Sequence, residues 1–205
     1  MANMVITIGR QCGSGGHTIG EMVAKKLGLP FYDKEIVERV VEKTELSTEF
    51  VKEKDEHFYN GSVGHIMGYG SRFEMLQQNG SSLTDMLNQA QSEVILELAE
   101  KESYVVVGRC ADHVLEGKVP TLNVFIYADM PYKIERSVRE HNLDPKKAES
   151  ILKRRDKARA HHYKFYTDKK WGEMGRYHIS LDSGKLGVET CVDIIVEAYK
   201  RLKDQ

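Results

Sequence analysis

"VITIGRQCGSGGHTIGEMVAKKLGLPFYD", residues 5–33, decides the fold. Val5, Ile6 and Ile8 make a short apolar run of the kind that forms a buried strand over 4–8. A glycine cluster follows at Gly9, Gly13, Gly15 and Gly16. Helical spacing then begins, with Ile19, Met22, Val23 and Leu27 on one face over 18–27. Gly28 stops that helix, and "LPFY" reads as a second short extended segment at 29–32. Strand, glycine loop, helix and returning strand form the unit from which parallel sheets are built.

Outward from this unit the alternation continues. Residues 34–43 are helical, with Ile36, Val37, Val40 and Val41 inward, and Ser47 reads as the start of another helix. Residues 57–83 are rich in glycine and lack an apolar period, as in a mobile loop or a ligand-responsive segment. The helical pattern returns over 84–100 through Met86, Leu87, Ala90, Val94, Ile95 and Leu98. Val105 to Val107 and "LNVFIYA" at 122–128 are continuous apolar strands. Residues 131–140 and 145–162 are basic helices, 177–183 a last strand and 187–203 a closing amphipathic helix. Fully apolar strands alternating with helices predict an α/β fold with a parallel sheet between helical layers.

Composition narrows the functional classes. A chain of 205 residues suits one domain. Its 30 basic and 31 acidic residues leave a net charge of -1, so no basic field points to nucleic acid. No apolar run approaches the ~20 residues of a membrane span, and the N-terminus lacks the pattern of a signal peptide. Cys12, Cys110 and Cys191 form no CxxC spacing and cannot all pair. A reducing compartment is expected, hence a soluble cytoplasmic protein.

Ligands of parallel sheets sit beyond the carboxyl ends of the strands. The loop after the first strand is therefore the natural site. Its glycines let consecutive backbone N–H groups converge on one anion, and the helix starting near His17 presents its positive end to the same point. A branched side chain at Gly13 is expected to block that approach while leaving the fold intact. The usual triphosphate-binding pattern, G-x-x-x-x-G-K-[ST], carries a lysine for the phosphates and a hydroxyl for Mg²⁺. Here two registers are open. Gly16 stands at the lysine position with Arg10 at the first glycine, or His17 replaces lysine and Thr18 supplies the hydroxyl. In either register the missing ammonium must come from elsewhere, and Arg10 is a candidate.

Two further segments carry chemistry. In "VVVGRCAD", Arg109 follows a buried strand and can fork bidentately onto a phosphate. Asp112 can hold a Mg²⁺-bound water or cap a helix, and Cys110 reads as a small packing residue. In "ILKRRDKARAHHYKFYTDKKWG", residues 151–172, Arg154, Arg155 and Arg159 lie within two helical turns. Arg155 and Arg159 share a face. They form either a solvated face or a lid that closes over phosphates. Trp171, the one tryptophan, either sits beside that lid or packs its base onto the sheet.

Together "ITIGRQCGSGGHTIG", "KKLGLPFYDKEI", "VVVGRCADHVL", "RRDKARAHHYKFYTDKKWG" and "YHISLDSGKLGVE" resemble the cytidylate kinase-like branch of the P-loop nucleoside monophosphate kinases. The resemblance implies a three-layer fold with a five-stranded parallel sheet. It implies a helical monophosphate-binding part at about 34–100 and a lid at about 151–176. The implied reaction is transfer of the ATP γ-phosphate to CMP, dCMP or a related monophosphate, with Mg²⁺. "GSGGHT" falls where such kinases have G-S-G-K-G-T, which favours the register with Gly16 at the lysine and Thr18 at the hydroxyl. The implied ATP site is Arg10, Gly13, Ser14, Gly15, Gly16, His17 and Thr18; Asp33, Arg109 and Asp112 serve the monophosphate. Arg154, Arg155 and Arg159 are the implied lid arginines, with Asp156 as acidic neighbour, and Thr18 and Asp112 the metal residues. No nucleic-acid or membrane partner is implied, and the oligomeric state is left open.

Overall fold

The β-branched runs form the strands that their composition predicts. The computed structural model describes residues 3–44 and 83–204. Its order is β1 (Val5–Arg10), α1 (Gly16–Leu27), β2 (Phe31–Tyr32), α2 (Lys34–Thr44), α3 (Leu83–Lys101), β3 (Val105–Val107) and α4 (Ala111–Val114). β4 (Thr121–Tyr127), α5 (Met130–His141), α6 (Pro145–Thr167), a 3₁₀ turn (Met174–Arg176), β5 (Ile179–Asp182), α7 (Ser183–Leu186) and α8 (Val188–Lys203) follow. The expected helix at Ser47 and nearly all of segment 57–83 lie outside the described residues; Leu83 already belongs to α3. The last strand ends at Asp182, because that carboxylate caps α7 by accepting from the N–H groups of Gly184 and Lys185.

All strand pairs are parallel, in the order β2-β3-β1-β4-β5. Alternation divides the side chains between two apolar layers. Ile6 and Ile8 face α1 and α8, meeting Ile19, Val23, Val192, Ile195 and Val196. Val5 and Val106 face α2 and α3, meeting Ile36, Val40, Ile95 and Leu98. Burying each such side chain contributes about 1.5–3 kcal/mol. Truncating Ile8 to alanine would cost about 2–5 kcal/mol, since both neighbouring strands leave it no room to relax. Among the described residues no helix is long and apolar enough to cross a membrane.

Local signals set the helix starts that matter to the site. Asp129 and Asp144 cap α5 and α6, accepting from the N–H groups of Tyr132 and Lys146, with a proline in each first turn. At α1 the cap position is Gly15, at φ 80°, with no side-chain cap. The first N–H groups of α1 therefore keep their capacity to meet an anion.

Candidate phosphate-transfer site

Because β1 lies between β3 and β4, the loops after all three meet at one edge. Arg10 ends β1, and Gly108, Arg109 and Cys110 turn the chain after β3. All three turn residues have positive φ, at 76°, 57° and 51°. For arginine and cysteine that backbone is unfavourable by about 1–3 kcal/mol each. A Cβ on Gly108 would overlap Nη1 of Arg10, so the glycine lets the Arg10 guanidinium lie on the turn. Arg109 is buried, and its Nη2 lies 3.5 Å from Asp33 Oδ1, just after β2.

α6 brings a further arginine to this edge. Arg159 Nη1 donates to the carbonyl oxygen of Arg10 at 3.3 Å and lies 3.6 Å from Asp156 Oδ1. Arg10, Arg109 and Arg159 thus line one cleft, walled by Asp112, Tyr163, Trp171 and Tyr177. Arg155 is half-buried, with its Nε shielded and lacking a hydrogen-bond partner among the described residues. Arg154 is exposed, and neither it nor Arg155 is among the residues lining the cleft. Trp171 packs edge-on against Phe125 of β4, ring centroids 5.3 Å apart, and lines the cleft as well.

Asp112 and Cys110 have definite places. The helix cap is Cys110, and Asp112 sits in the first turn of α4. The Asp112 carboxylate accepts the Tyr163 hydroxyl at 2.6 Å. Burial raises its pKa, and the Tyr163 bond and nearby backbone N–H groups oppose that rise. Burial pushes the Cys110 thiol up to about 12, which makes it a packing residue and not a nucleophile at neutral pH.

His17 turns from the loop towards the end of β2. Its Nε2 lies 3.1 Å from Asp33 Oδ2 and its ring meets Phe31 edge-on. The bond to Asp33 raises the His17 pKa. Burial alone would raise Asp33, but the His17 bond and the charges of Arg109 and Arg10 hold it at about 2. Ser14 is buried: its hydroxyl donates to the Gln11 carbonyl at 2.8 Å and its N–H reaches the same oxygen at 3.3 Å. It shapes the loop from within.

The cations beside the loop come from α5, which sequence reasoning missed. Arg136 Nη2 donates to Thr18 Oγ1 at 2.9 Å and pairs with Glu140 at 2.7 Å. Lys133, equally buried, places Nζ 3.1 Å from Gln11 Oε1 and 3.3 Å from Asp156 Oδ2. Their signal was a polar stripe, Lys133, Arg136 and Ser137, at i, i+3, i+4 spacing on the helix following a central strand. The same packing corrects one expectation. A Cβ on Gly13 would lie 2.8 Å from the Lys133 carbonyl oxygen and 2.8 Å from Ser137 Oγ, so a branched residue there disturbs the fold as well as the loop.

A metal fits these oxygens poorly as arranged. Thr18 Oγ1 is already engaged by a guanidinium, and a cation bound there would face that charge. Asp112 is taken by Tyr163, and no group of three candidate metal-binding side chains occurs among the described residues.

Known structures share the fold. Among solved structures, an uncharacterized protein from Eubacterium ventriosum is 28% identical, with 96% of this chain and 98% of that one covered and a TM-score of 0.71. A shikimate kinase from Acinetobacter baumannii, in complex with shikimate, is 16% identical, with 100% and 97% covered and a TM-score of 0.55. A gluconokinase from Sinorhizobium meliloti is 16% identical, with 100% and 97% covered and a TM-score of 0.51. No curated protein matches the chain. The fold is therefore that of the small-molecule kinases, and the match of the cytidylate kinase-like family to residues 5–185 makes this chain a member of that family.

Proposed function

We propose that the protein transfers the γ-phosphate of ATP to a nucleoside monophosphate, CMP or dCMP first among them. The observation that carries the reading is the convergence of Arg10, Arg109 and Arg159 on one cleft beside an uncapped helix start. In this reading the glycine loop holds the donor phosphates and Arg109 grips the acceptor phosphate. Arg159 and Arg155 neutralise the group in flight. Residues 34–100 carry the acceptor nucleoside, and 151–176 form the lid.

An acceptor phosphate oxygen attacks Pγ in line, the bond from Pγ to the β-bridging oxygen breaks, and ADP leaves. The attacking oxygen is already anionic near neutral pH, so no base is needed. That suits the carboxylates present. Asp33 is held at about 2, far below a useful base, and Asp112 is engaged by Tyr163. A kinase for a hydroxyl-bearing metabolite, the second reading, would need a carboxylate free to accept the hydroxyl proton. Mg²⁺ travels with ATP in this proposal and supplies charge to the phosphates; no step is assigned to it through Thr18 or Asp112. The three cysteines, all free thiols in the structure, support a cytoplasmic setting.

Phosphotransfer assays with ATP and Mg²⁺ across the four ribonucleoside monophosphates and dCMP test the proposal. ADP formation dependent on one monophosphate is expected. Turnover with shikimate or gluconate alone would favour the second reading. Saturable nucleotide binding without turnover on any acceptor would make the protein a nucleotide-binding one that lost catalysis with its loop lysine.

A further inference from the structure

Cys12, on the rim of the glycine loop, donates its N–H to Asp156 Oδ1 at 2.6 Å. The other oxygen of the same carboxylate lies 3.3 Å from Lys133 Nζ, and Arg159 Nη1 stands 3.6 Å from the Oδ1 that meets Cys12. One carboxylate of α6 therefore gathers a loop N–H, an ammonium and a guanidinium. Those are the donors that a phosphate oxygen seeks, and a phosphate brings more charge and three oxygens to them.

The ammonium is notable for where it is anchored. Lysine is almost never fully buried unless paired, yet the Lys133 side chain is only 6% exposed. No lysine fits at position 16 of the loop. Gly16, at the lysine position, is buried, and any Cβ there would overlap that of Arg10. The chain thus closes the usual place for the cation and holds another ammonium against the loop from a different helix.

We infer that Lys133 is the ammonium serving the phosphate loop in place of a loop lysine, and that Asp156 holds it until a phosphate oxygen displaces the carboxylate. This rests on the phosphotransfer reading of the site. It makes Asp156 a resident anion: nucleotide must break the contact between α6 and the loop, and doing so frees Arg159 to turn to the same phosphate. Lid movement and phosphate binding are then one exchange of partners. A purely structural ion pair would behave otherwise, since loosening it would only weaken the loop.

Calorimetric titration of the full chain with tripolyphosphate and with ATP, both without metal, separates the two. Asp156→Asn keeps the shape of the side chain and removes its charge, so tripolyphosphate should bind about tenfold tighter than to wild type. Lys133→Met should bind about tenfold more weakly. The double variant should behave as Lys133→Met, because the gain at position 156 works through that ammonium. Equal or weaker binding by Asp156→Asn overturns the exchange, as does unchanged binding by Lys133→Met. Should Lys133→Met fail to fold, Asp156→Asn decides alone. Wild-type binding with no gain in Asp156→Asn leaves the phosphotransfer reading standing; absence of binding in every variant removes both.

Discussion

Gly16 and Arg10 pack so closely that a Cβ on the glycine would overlap the Cβ of the arginine. One residue at the end of β1 thereby excludes any side chain from the first position of α1. The packing as it stands leaves no room for a lysine at this position. Restoring it should fail. Gly16→Lys is expected to destabilise the fold by about 1–3 kcal/mol through overpacking and to lower ATP affinity as the loop is displaced. Urea denaturation and a binding titration check it; a stable Gly16→Lys with raised turnover would show that the loop yields easily.

The arginines should divide by role. Arg109 is buried against Asp33 and, in the proposed reading, grips the acceptor phosphate, so Arg109→Ala should chiefly raise the KM for the monophosphate. Arg159→Ala should lower kcat, by about 10³-fold if it acts on the group in flight, with little change in KM. Arg155→Ala should follow the same direction. Arg154, the exposed one, should show the smallest effect of the three α6 arginines. Steady-state kinetics that leave Arg109→Ala and Arg159→Ala at wild-type values would detach the cleft from the reaction.

The pair of His17 and Asp33 predicts a dependence on pH. His17 gains a partner in the fold, so its pKa is raised above the ordinary 6.5. Its contribution is complete below 6.5 and lost as pH climbs through the raised value. Asp33 runs the other way: held at about 2 against 3.8, it contributes above 3.8 and loses that contribution only as pH falls towards 2. His17→Gln should therefore be less stable than wild type at pH 6, and the gap in urea midpoint should narrow at higher pH. A gap constant across that range would mean that the charge of His17 does not matter to the fold.

Trp171 offers a spectroscopic reading of the cleft. It rests edge-on upon Phe125, so it packs the segment after α6 onto the sheet, and it also lines the cleft. Monophosphate alone should then shift its emission, without an ATP analogue. Flat emission during a titration that calorimetry shows to be saturating would place the acceptor elsewhere.

Much of this was legible in the order of residues. The strands 105–107 and 122–128, the glycine loop and the helix from Ile19 to Leu27 are matters of local pattern. Apolar runs and turn residues act over a few positions, so a linear reading finds them. Arg109 could be placed because it follows a buried strand after a single glycine. Less legible were the ends: α6 runs on to Thr167, past the expected 162, because Tyr163 and Thr167 are buried against the body of the protein.

What the sequence by itself determined is the alternation of strands and helices and the presence of an uncapped, glycine-rich helix start. Which charges serve that start was decided only by the tertiary structure. The order β2-β3-β1-β4-β5 puts the helix after β4 against the loop after β1, bringing Lys133 and Arg136 beside residues more than a hundred positions earlier. No local preference encodes such a meeting. Burial of a lysine and an arginine depends on partners, Asp156 and Glu140 among them, that exist only once the sheet has formed.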